Sequence, residues 1–407
     1  MPHADARRLP TPWLTAYTLL VLGGNGYVLR LLARDAPQIP MRRAVAAGPG
    51  VQADPPPGGA GEWPFVSVIV PARNEERNLP NLLPSLLNLS YPPARLEVIV
   101  VDDQSEDRTP EILAEFAAAY PQLRVVRGAS LPDGWKGKPW AMQQGAEAAH
   151  GEWLLFTDAD TVHGPDSLAS TISAAIELDA DLFTIGTELV LGGPAERLIM
   201  PVVHLGILMF YQPSAVNDPE NPTAIANGQY LLFRRQTWDE IGGAERVRND
   251  IAEDLELGRL VKREGYRLYL ADGRGIVRVR MYQDFADVWQ GWRKNVLLAL
   301  RKQPAMGTLQ LATLAGALTP FVLLGLYGGR FLRDGRPANR ASLALVGAQV
   351  GTLLLVKRRI DAILGVPVGW TFTFPIGLLL LAAILLDSLR LLVNGRGVTW
   401  KGRSYTA

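Results

Sequence analysis

The chain has 407 residues, with 41 Lys and Arg against 40 Asp and Glu, a formal net charge of +1 and no cysteine. The lack of cysteine excludes disulfide-stapled secreted modules, cysteine-ligated metal sites and thiol catalysis, and the near-zero charge argues against a dedicated nucleic-acid binder. Hydrophobic residues make up 48% of the chain, a high share for a soluble protein, so membrane segments are expected.

The first long apolar run covers residues 13–33 and predicts an N-terminal membrane anchor within residues 1–47. A signal peptide is the competing interpretation, but no small-residue cleavage site follows the run and several arginines lie just beyond it. Residues 48–63 are rich in proline and glycine and predict a linker.

A domain of alternating strands and helices is predicted over residues 64–303. Apolar runs typical of buried strands cover residues 65–72, 96–103, 123–128 and 152–160. Apolar periodicity predicts helices over residues 74–90, 111–120 and 140–151, the last with Gly151 as its C-cap. This β-α-β-α-β-α-β order predicts an α/β fold with a largely parallel, Rossmann-like sheet and a site at the carboxyl ends of its strands.

Three apolar runs separated by basic loops follow and predict a C-terminal transmembrane region over residues 304–407. The runs cover residues 304–328, 341–356 and 372–393. The first and third are long enough to span a membrane, and the second is marginal. Soluble core helices are the alternative for any one run, but three in a row after an α/β domain favour membrane spans.

Two adjacent carboxylates, Asp102 and Asp103, end the second predicted strand. At the mouth of a parallel sheet they can accept hydrogen bonds from a base imide N–H and a ribose hydroxyl. The alternative is an ordinary turn in which Ser or Asp caps a helix at Thr109. The DDxxD metal motif of prenyl-transferring enzymes also competes, but it lies on a helix, and the Val/Ile run before Asp102 indicates a strand.

Asp158 and Asp160 form an Asp-Ala-Asp motif at the end of the last predicted strand. Residues i and i+2 of a strand point to the same face, so both carboxylates can face one ligand. Hard oxygen ligands suit Mg²⁺ or Mn²⁺, and such ions usually share their coordination shell with substrate phosphates. A solvated turn is the alternative interpretation.

Two further segments contain charged residues that are candidates for the site. Glu253 and Asp254 begin a stretch with helical spacing, where acids in the first turn compensate the helix dipole. For Asp254 the functional alternative is a general base that removes a proton from an attacking hydroxyl. Lys138 precedes a predicted helix, where it either reaches a phosphate at the helix N-terminus or is an exposed loop lysine.

Gln290, Trp292 and Arg293 lie in a basic, aromatic stretch just before the first C-terminal apolar run. This composition predicts an interfacial helix. A compatible second interpretation gives Arg293 a diphosphate to bind and Trp292 a sugar or lipid to stack on. The four histidines are isolated in sequence, so a histidine-based catalytic triad has no support.

Taken together, these segments resemble the inverting family 2 glycosyltransferases of GT-A fold. The resemblance covers about residues 64–300, and its segments are, in order, FVSVIVPARNEERNL, LEVIVVDDQSEDRTPEI, GWKGKPWAMQQGAEAAHGEWLLFTDADT, ANGQYLLFRRQTWDEIGG, IAEDLELGRLVKREGYRL and WQGWRKN. The flanking apolar segments and the terminal GVTWKGRSY resemble the lipid-directed branch, which includes ceramide-glucosyltransferase-like and carotenoid- or hopanoid-associated bacterial enzymes.

The resemblance implies a nucleotide-sugar site that comprises Pro71, Ala72, Asn74, Glu75, Asp102, Asp103, Lys138, Asp158, Gln290, Trp292 and Arg293. The first four of these residues would line the nucleotide pocket, and the next two would contact uracil and ribose. Asp158 and Asp160 would hold one Mg²⁺ or Mn²⁺, with Asp160 the more direct ligand. Asp254 would be the catalytic base.

One departure from the family pattern concerns the Q-x-x-R-W signature. Gln290 and Arg293 match its first part, but Lys294 stands at the Trp position and the aromatic residue is Trp292. The departure weakens the match to processive polysaccharide synthases and leaves open the role of the aromatic residue.

The resemblance implies a membrane-bound inverting glycosyltransferase that moves a sugar, expected to be a hexose, from a UDP-sugar to a lipid hydroxyl. Carotenoid, hopanoid, ceramide-like lipid and glycerolipid are the candidate acceptors. A processive polysaccharide synthase is the alternative enzyme. A catalytically inactive membrane scaffold is the alternative from another class, and the retained carboxylates argue against it.

A nucleotide-sugar donor implies a multi-pass cell-membrane protein whose catalytic domain faces the cytoplasm. Three spans after that domain would place Arg330, Arg333, Arg336 and Arg340 outside, against the positive-inside rule. A re-entrant or interfacial segment would resolve the conflict, and the run over residues 341–356 is the best candidate by length.

Overall fold

The structure is a computed structural model, and it describes residues 12–34, 62–302, 304–334, 337–394, 398–400 and 403–405. These residues form two compact units. The sheet unit comprises residues 62–190 and 211–281, and the helical unit comprises residues 12–34, 191–210 and the described residues from 282 onward. Residues 48–61 of the predicted linker lie outside the described residues.

Eight strands of the sheet unit form one mixed sheet. They are β1 (Val66–Ala72), β2 (Leu96–Asp102), β3 (Leu123–Arg127), β4 (Trp153–Phe156), β5 (Thr161–His163), β6 (Leu182–Leu189), β7 (Leu231–Arg234) and β8 (Leu268–Val279). Their order across the sheet is β3-β2-β1-β4-β7-β6-β8-β5. The first four run parallel, β6 is parallel to β8, and β7 and β5 pair antiparallel with their neighbours. The predicted α/β fold with a mostly parallel sheet is therefore confirmed.

The helices belong to both units. They are α1 (Pro12–Leu32), α2 (Leu79–Leu87), α3 (Thr109–Ala119), α4 (Gly137–Ala148), α5 (Ser167–Glu177), α6 (Pro194–Phe210), α7 (Pro213–Val216), α8 (Arg235–Glu240), α9 (Glu253–Arg263), α10 (Phe285–Lys302), α11 (Pro304–Asp334), α12 (Pro337–Ile363) and α13 (Phe374–Val393). The helical unit contains α1, α6 and α10 to α13. The compact units group α6 and α10 with the apolar helices rather than with the sheet. The predicted domain bounds, which include both helices in the sheet domain, stay a prediction.

The central strands supply two hydrophobic cores, one on each face of the sheet, because successive side chains point to opposite faces. Val68 and Leu155 belong to the core that α2, α3 and α5 cover. Ile69 and Phe156 belong to the core that α4, α8 and α9 cover. Burial on both faces explains why these strands read as continuous apolar runs in the sequence.

Two predicted helices have different ends in the structure. The helix predicted over residues 74–90 begins only at Leu79, because Asn74 has a positive φ of 54° and the residues after it form a turn. The helix predicted over residues 140–151 begins at Gly137 and ends at Ala148, so the assignment of Gly151 as its C-cap is wrong. A Cβ at Gly151 would lie 2.5 Å from the Ser67 backbone nitrogen, which explains the glycine by a close backbone approach.

The strand predicted over residues 152–160 is also interrupted. β4 ends at Phe156, and Asp158 and Asp160 lie in the turn before β5, so the premise that both occupy a strand is wrong. The carbonyl of Asp158 accepts hydrogen bonds from the Thr161 backbone N–H (3.3 Å) and hydroxyl (2.8 Å), and these bonds close the turn. Ala159 is buried in the core between the two half-buried acids.

Among the described residues, three helices are long and apolar enough to cross a membrane. They cover Gly307–Arg333, Arg340–Ile363 and Val368–Val393. The second extends beyond residues 341–356 in both directions and is long enough to span a membrane, and a re-entrant segment there stays a prediction. α1 forms a helix over the predicted anchor but is not among the three, and its anchoring role stays a prediction.

Gly151→Ala is expected to lower the free energy of unfolding by about 1–3 kcal/mol. The added Cβ would overlap the backbone of Ser67 and Trp153. Gly186→Ala is the matched control, because a Cβ there would meet its nearest atom, the Ala271 carbonyl oxygen, at 3.9 Å. Thermal unfolding of the full-length protein measures both effects, and equal melting temperatures would contradict the close-approach role of Gly151.

Candidate active site

The candidate site lies where β1, β2 and β4 end. These strands are parallel, and Ala72 pairs with Asp102 while Ile69 pairs with Phe156, so their carboxyl ends meet at one edge of the sheet. The turns that follow these strands carry most of the residues that the sequence singles out.

The turns after β1 and β2 are interlocked by hydrogen bonds. The Asn74 backbone N–H donates to the Ser105 hydroxyl (2.9 Å), and the Asn74 side-chain oxygen accepts from the Glu106 backbone N–H (2.8 Å). The Glu75 backbone N–H donates to the Thr109 hydroxyl (2.8 Å). The predicted nucleotide-pocket residues after β1 therefore form one rigid rim with the turn that follows Asp102.

Asp102 and Asp103 are almost fully buried at this rim, with 7% and 4% of their surface exposed. Asp102 Oδ1 accepts a hydrogen bond from the Ser105 backbone N–H at 3.0 Å, so this carboxylate does help to form the strand-to-helix turn. Arg73, which the sequence analysis missed, donates from Nη1 to the Asp103 carbonyl oxygen at 2.7 Å. The arginine thus supports the turn from the β1 side.

Lys138 forms the centre of a second group of charged residues. Its ammonium lies 2.6 Å from Asp158 Oδ1 and 2.8 Å from Glu253 Oε1. Lys138 comes from the first turn of α4, Asp158 from the turn after β4, and Glu253 from the first turn of α9. The interpretation of Lys138 as an exposed loop lysine is therefore wrong.

Burial and charge act in opposite directions on this group. Burial alone would lower the pKa of the Lys138 ammonium, but the carboxylates of Asp158, Glu253 and Asp254 outweigh it and hold that pKa well above its ordinary value. Burial raises the pKa of the Glu253 carboxyl, and Lys138 opposes that rise. Lys138 therefore stays charged at neutral pH and supplies a fixed positive charge at the sheet edge.

Asp254 is held by backbone N–H groups on both carboxylate oxygens. Oδ2 accepts from Gly228 at 2.9 Å, and Oδ1 accepts from Leu255 at 2.8 Å. A Cβ at Gly228 would lie 2.9 Å from Lys138 Nζ and 3.1 Å from Asp254 Oδ2, so a larger residue would have to displace the ammonium and the carboxylate. Each carboxylate oxygen has a second lone pair, so Asp254 can still accept a proton.

The turn that carries Gly228 is fixed from behind by buried polar groups. The Thr157 hydroxyl donates to the Gln229 carbonyl oxygen (2.8 Å), and the Thr187 hydroxyl donates to the Gln229 side chain. His163 lies 3.0 Å from the same Thr157 hydroxyl, and burial lowers its pKa to about 3, so it is neutral at pH 7. None of these residues was predicted to have a role, although ANGQY belongs to one of the segments that carry the family resemblance.

Asp158 and Asp160 are the predicted ligands of a divalent metal ion. Among the described residues, no group of three or more His, Cys, Asp or Glu side chains is placed to hold a metal ion. Asp158 and Asp160 offer two hard oxygen donors, which fits Mg²⁺ or Mn²⁺ only where water and substrate phosphates supply the remaining ligands. The residues therefore fit an ion that binds together with a diphosphate.

Gln290, Trp292 and Arg293 belong to α10 of the helical unit, where Gln290 is exposed. The Trp292 ring N–H donates to the Met200 sulfur at 3.2 Å. Arg293 Nη1 lies 3.4 Å from Asp387 Oδ2, which also accepts from the Trp289 ring N–H at 3.1 Å. Asp387 was not predicted as a functional residue, although an acid within the apolar run at residues 372–393 is a visible signal.

The sequence profile of Glycosyl transferase family 2 matches residues 67–242. The chain is 30% identical over 265 residues to a 4,4'-diaponeurosporenoate glycosyltransferase of Staphylococcus haemolyticus, which covers 64% of this chain and 69% of that protein. It is 40% identical over 112 residues to a β-monoglucosyldiacylglycerol synthase of Trichormus variabilis, a match that spans 28% of this chain and 24% of that protein.

A similar solved structure is a mannosyltransferase from Pyrobaculum calidifontis, in complex with GDP-Man and Mn²⁺. It superposes with a TM-score of 0.50 at 19% identity and covers 93% of this chain and 99% of that chain, a likeness that concerns the fold. Fold and sequence together define a GT-A glycosyltransferase. The chain belongs to glycosyl transferase family 2.

Lys138→Met is expected to lower the free energy of unfolding by about 3 kcal/mol, because it leaves the Glu253 carboxylate buried without its cation. The value lies at the low end for such pairs, since a third of the Lys138 side chain is exposed. Combining Lys138→Met with Glu253→Gln is expected to restore part of the loss. Urea unfolding of the full-length variants measures the coupling, and a single variant as stable as the unaltered protein would contradict it.

Proposed function

We propose that this protein is a membrane-bound, inverting hexosyltransferase that moves one sugar from a UDP-sugar to a hydroxyl of a lipid. The observation that carries the proposal is the approach of Lys138 and Asp254 to Gly228, which combines a fixed cation and a carboxylate at the sheet edge. Transfer from a nucleotide sugar needs both groups: a base for the acceptor and positive charge for the leaving diphosphate.

The proposed reaction proceeds in one step at the anomeric carbon. Asp254 removes the proton of the acceptor hydroxyl, and the hydroxyl oxygen attacks from the face opposite the diphosphate. The glycosidic bond forms as the bond to the nucleoside diphosphate breaks, so the configuration inverts. Lys138 offsets part of the negative charge that develops on the leaving oxygen, and in this proposal Arg293 contributes in the same way.

The nucleotide is proposed to bind at the rim after β1 and β2. Pro71, Ala72, Asn74 and Glu75 would line its pocket, and Asp102 and Asp103 would accept hydrogen bonds from uracil and ribose. Mg²⁺ or Mn²⁺, held by Asp158 and Asp160, supplies positive charge to the diphosphate when bound. Gln290 and Trp292 are proposed to complete the donor and acceptor site.

A lipid acceptor and a membrane location are proposed together. The name of one relative gives diaponeurosporenoate as the molecule it acts on, the name of the other gives monoglucosyldiacylglycerol as its product, and both molecules are lipids. The three long apolar helices of the helical unit support membrane insertion. A nucleotide-sugar donor places the sheet unit at the cytoplasmic face in this proposal.

Asp254→Asn is expected to reduce kcat by about 10²- to 10⁴-fold while UDP binding is retained, because the amide cannot take the proton and has one acceptor oxygen for the two backbone N–H groups. Glu264→Gln, an exposed acid just after α9, is the control. Radiolabelled sugar transfer in detergent and calorimetric titration with UDP and GDP give the two readouts. Undiminished turnover in Asp254→Asn would refute the base assignment, and a ladder of products would indicate a processive synthase.

The lipids of a bacterial host that expresses the chain test the acceptor proposal directly. Mass spectrometry is expected to find a lipid whose mass rises by one hexose with the unaltered protein and not with Asp254→Asn. An unchanged lipid profile with active, membrane-inserted protein would contradict a lipid acceptor in that host's membranes.

Asp160→Asn is expected to lower transfer at least about a hundredfold, because it removes a proposed ligand of the ion that offsets diphosphate charge. Asp133→Asn, an exposed acid in the loop before α4, is the control. EDTA is expected to abolish transfer, and added Mn²⁺ or Mg²⁺ to restore it. Full activity in EDTA would overturn the metal assignment.

A further inference from the structure

α1 and α12 of the helical unit pack side by side and run in the same direction. Leu14, near the start of α1, packs with Val346 and Val350. Leu32, at the end of α1, packs with Val356 and Ile360. The C-terminal ends of both helices therefore lie at the same end of the helical unit.

Two hydrogen bonds fix the register of this pair. Asn25 Nδ2 donates to the Thr352 hydroxyl at 2.8 Å. Arg359 Nε donates to the Leu32 carbonyl oxygen at 3.3 Å, so the guanidinium is anchored on the last turn of α1. The arginine satisfies a helix-end carbonyl that has no partner within α1.

Three consecutive cations near the end of α12 have different surroundings. Lys357 is fully buried and forms an ion pair with the buried Asp361, which also accepts from the Thr371 hydroxyl at 3.0 Å. The charge of Lys357 is thus neutralised inside the helical unit. Arg358 and Arg359 are exposed, and the Arg358 side chain makes no hydrogen bond or ion pair with any other described residue.

A groove of about 400 Å³ lies beside these two arginines. It is lined by Leu29, Leu355, Arg358, Arg359 and Ala362. Leu355 is 57% exposed, so the groove offers apolar surface next to two guanidinium groups. Water solvates the leucine side chains poorly, and an acyl chain cannot neutralise the arginine charges. The surface is therefore complementary to an anion that also carries an apolar chain.

We propose that this groove binds an anionic phospholipid, with its phosphodiester on Arg358 and Arg359 and an acyl chain along Leu29 and Leu355. Guanidinium groups bind phosphate oxygens in a bidentate manner. The inference rests on membrane insertion of the helical unit, which is part of the proposed function, and it uses no residue of the candidate active site.

Charge and depth both favour this occupant. Arg30 and Arg34 are also exposed at this end, and the described residues of α1 contain no acid. Arg358 precedes the end of the candidate span at Ile363 by about 8 Å along the helix axis. At that depth an arginine side chain extends to the headgroup layer, where anionic lipids concentrate.

The test measures lipid adducts on the full-length protein in detergent by native mass spectrometry. Dioleoyl phosphatidylglycerol is added, with dioleoyl phosphatidylcholine and glycerol phosphate as separate arms. Phosphatidylglycerol is expected to bind the unaltered protein and to bind Arg358→Gln/Arg359→Gln at least about tenfold more weakly. Arg333→Gln, which replaces an exposed arginine in the last turn of α11, is charge-matched to Arg358→Gln alone and is expected to bind normally.

Arg358→Gln alone keeps the hydrogen bond from Arg359 to α1, so a partial loss in this variant supports the proposal even if the double variant folds poorly. Rescue by Arg358→Lys to an intermediate affinity also supports it. Equal binding of phosphatidylcholine, competition by glycerol phosphate at equal concentration, or an equal loss in Arg333→Gln would each overturn it. No step of the test depends on glycosyl transfer, so its failure leaves the proposed reaction untouched.

Discussion

The site depends on the ion pairs of the Lys138 ammonium, because they connect three elements that are distant in the chain. The ammonium joins the start of α4, the turn after β4 and the start of α9 through Asp158 and Glu253. Glu253 is almost fully buried there, and its carboxylate would be strongly destabilised without the cation beside it. The same contact therefore stabilises the fold and sets the electrostatics of the site.

The backbone next to Lys138 is also closely packed. Gly228 leaves no room for a side chain between Lys138 and Asp254, and its N–H orients the Asp254 carboxylate. The turn that carries it precedes β7, which is antiparallel to β4. A loop that enters a strand thus reaches the same edge as the loops that leave the parallel strands, and the mixed sheet is what makes this possible.

The sequence predicted the parallel strands and the acids near their carboxyl ends, because buried strands give continuous apolar runs and Asp102 directly follows such a run. It could not predict the partner of Lys138, since Glu253 lies more than a hundred residues away and an acid in a first helical turn has an ordinary local explanation. The turn at Asp158 was missed because the predicted strand continued to Asp160, and no glycine or proline after Phe156 marks the point where β4 ends. The role of Gly228 needed tertiary contacts that no local pattern records.

More acids than cations lie around Lys138, and this inequality links the two ligands that are proposed to bind here. Three carboxyl groups, those of Asp158, Glu253 and Asp254, surround one ammonium, so in the proposed function a diphosphate would approach a cation that is already shared among acids. A second cation that bound with the diphosphate would offset those acids. Such coupling is reciprocal, so the proposed nucleotide and its counter-ion would raise each other's affinity by the same factor. The site would then favour the complete ion–nucleotide complex over either component alone.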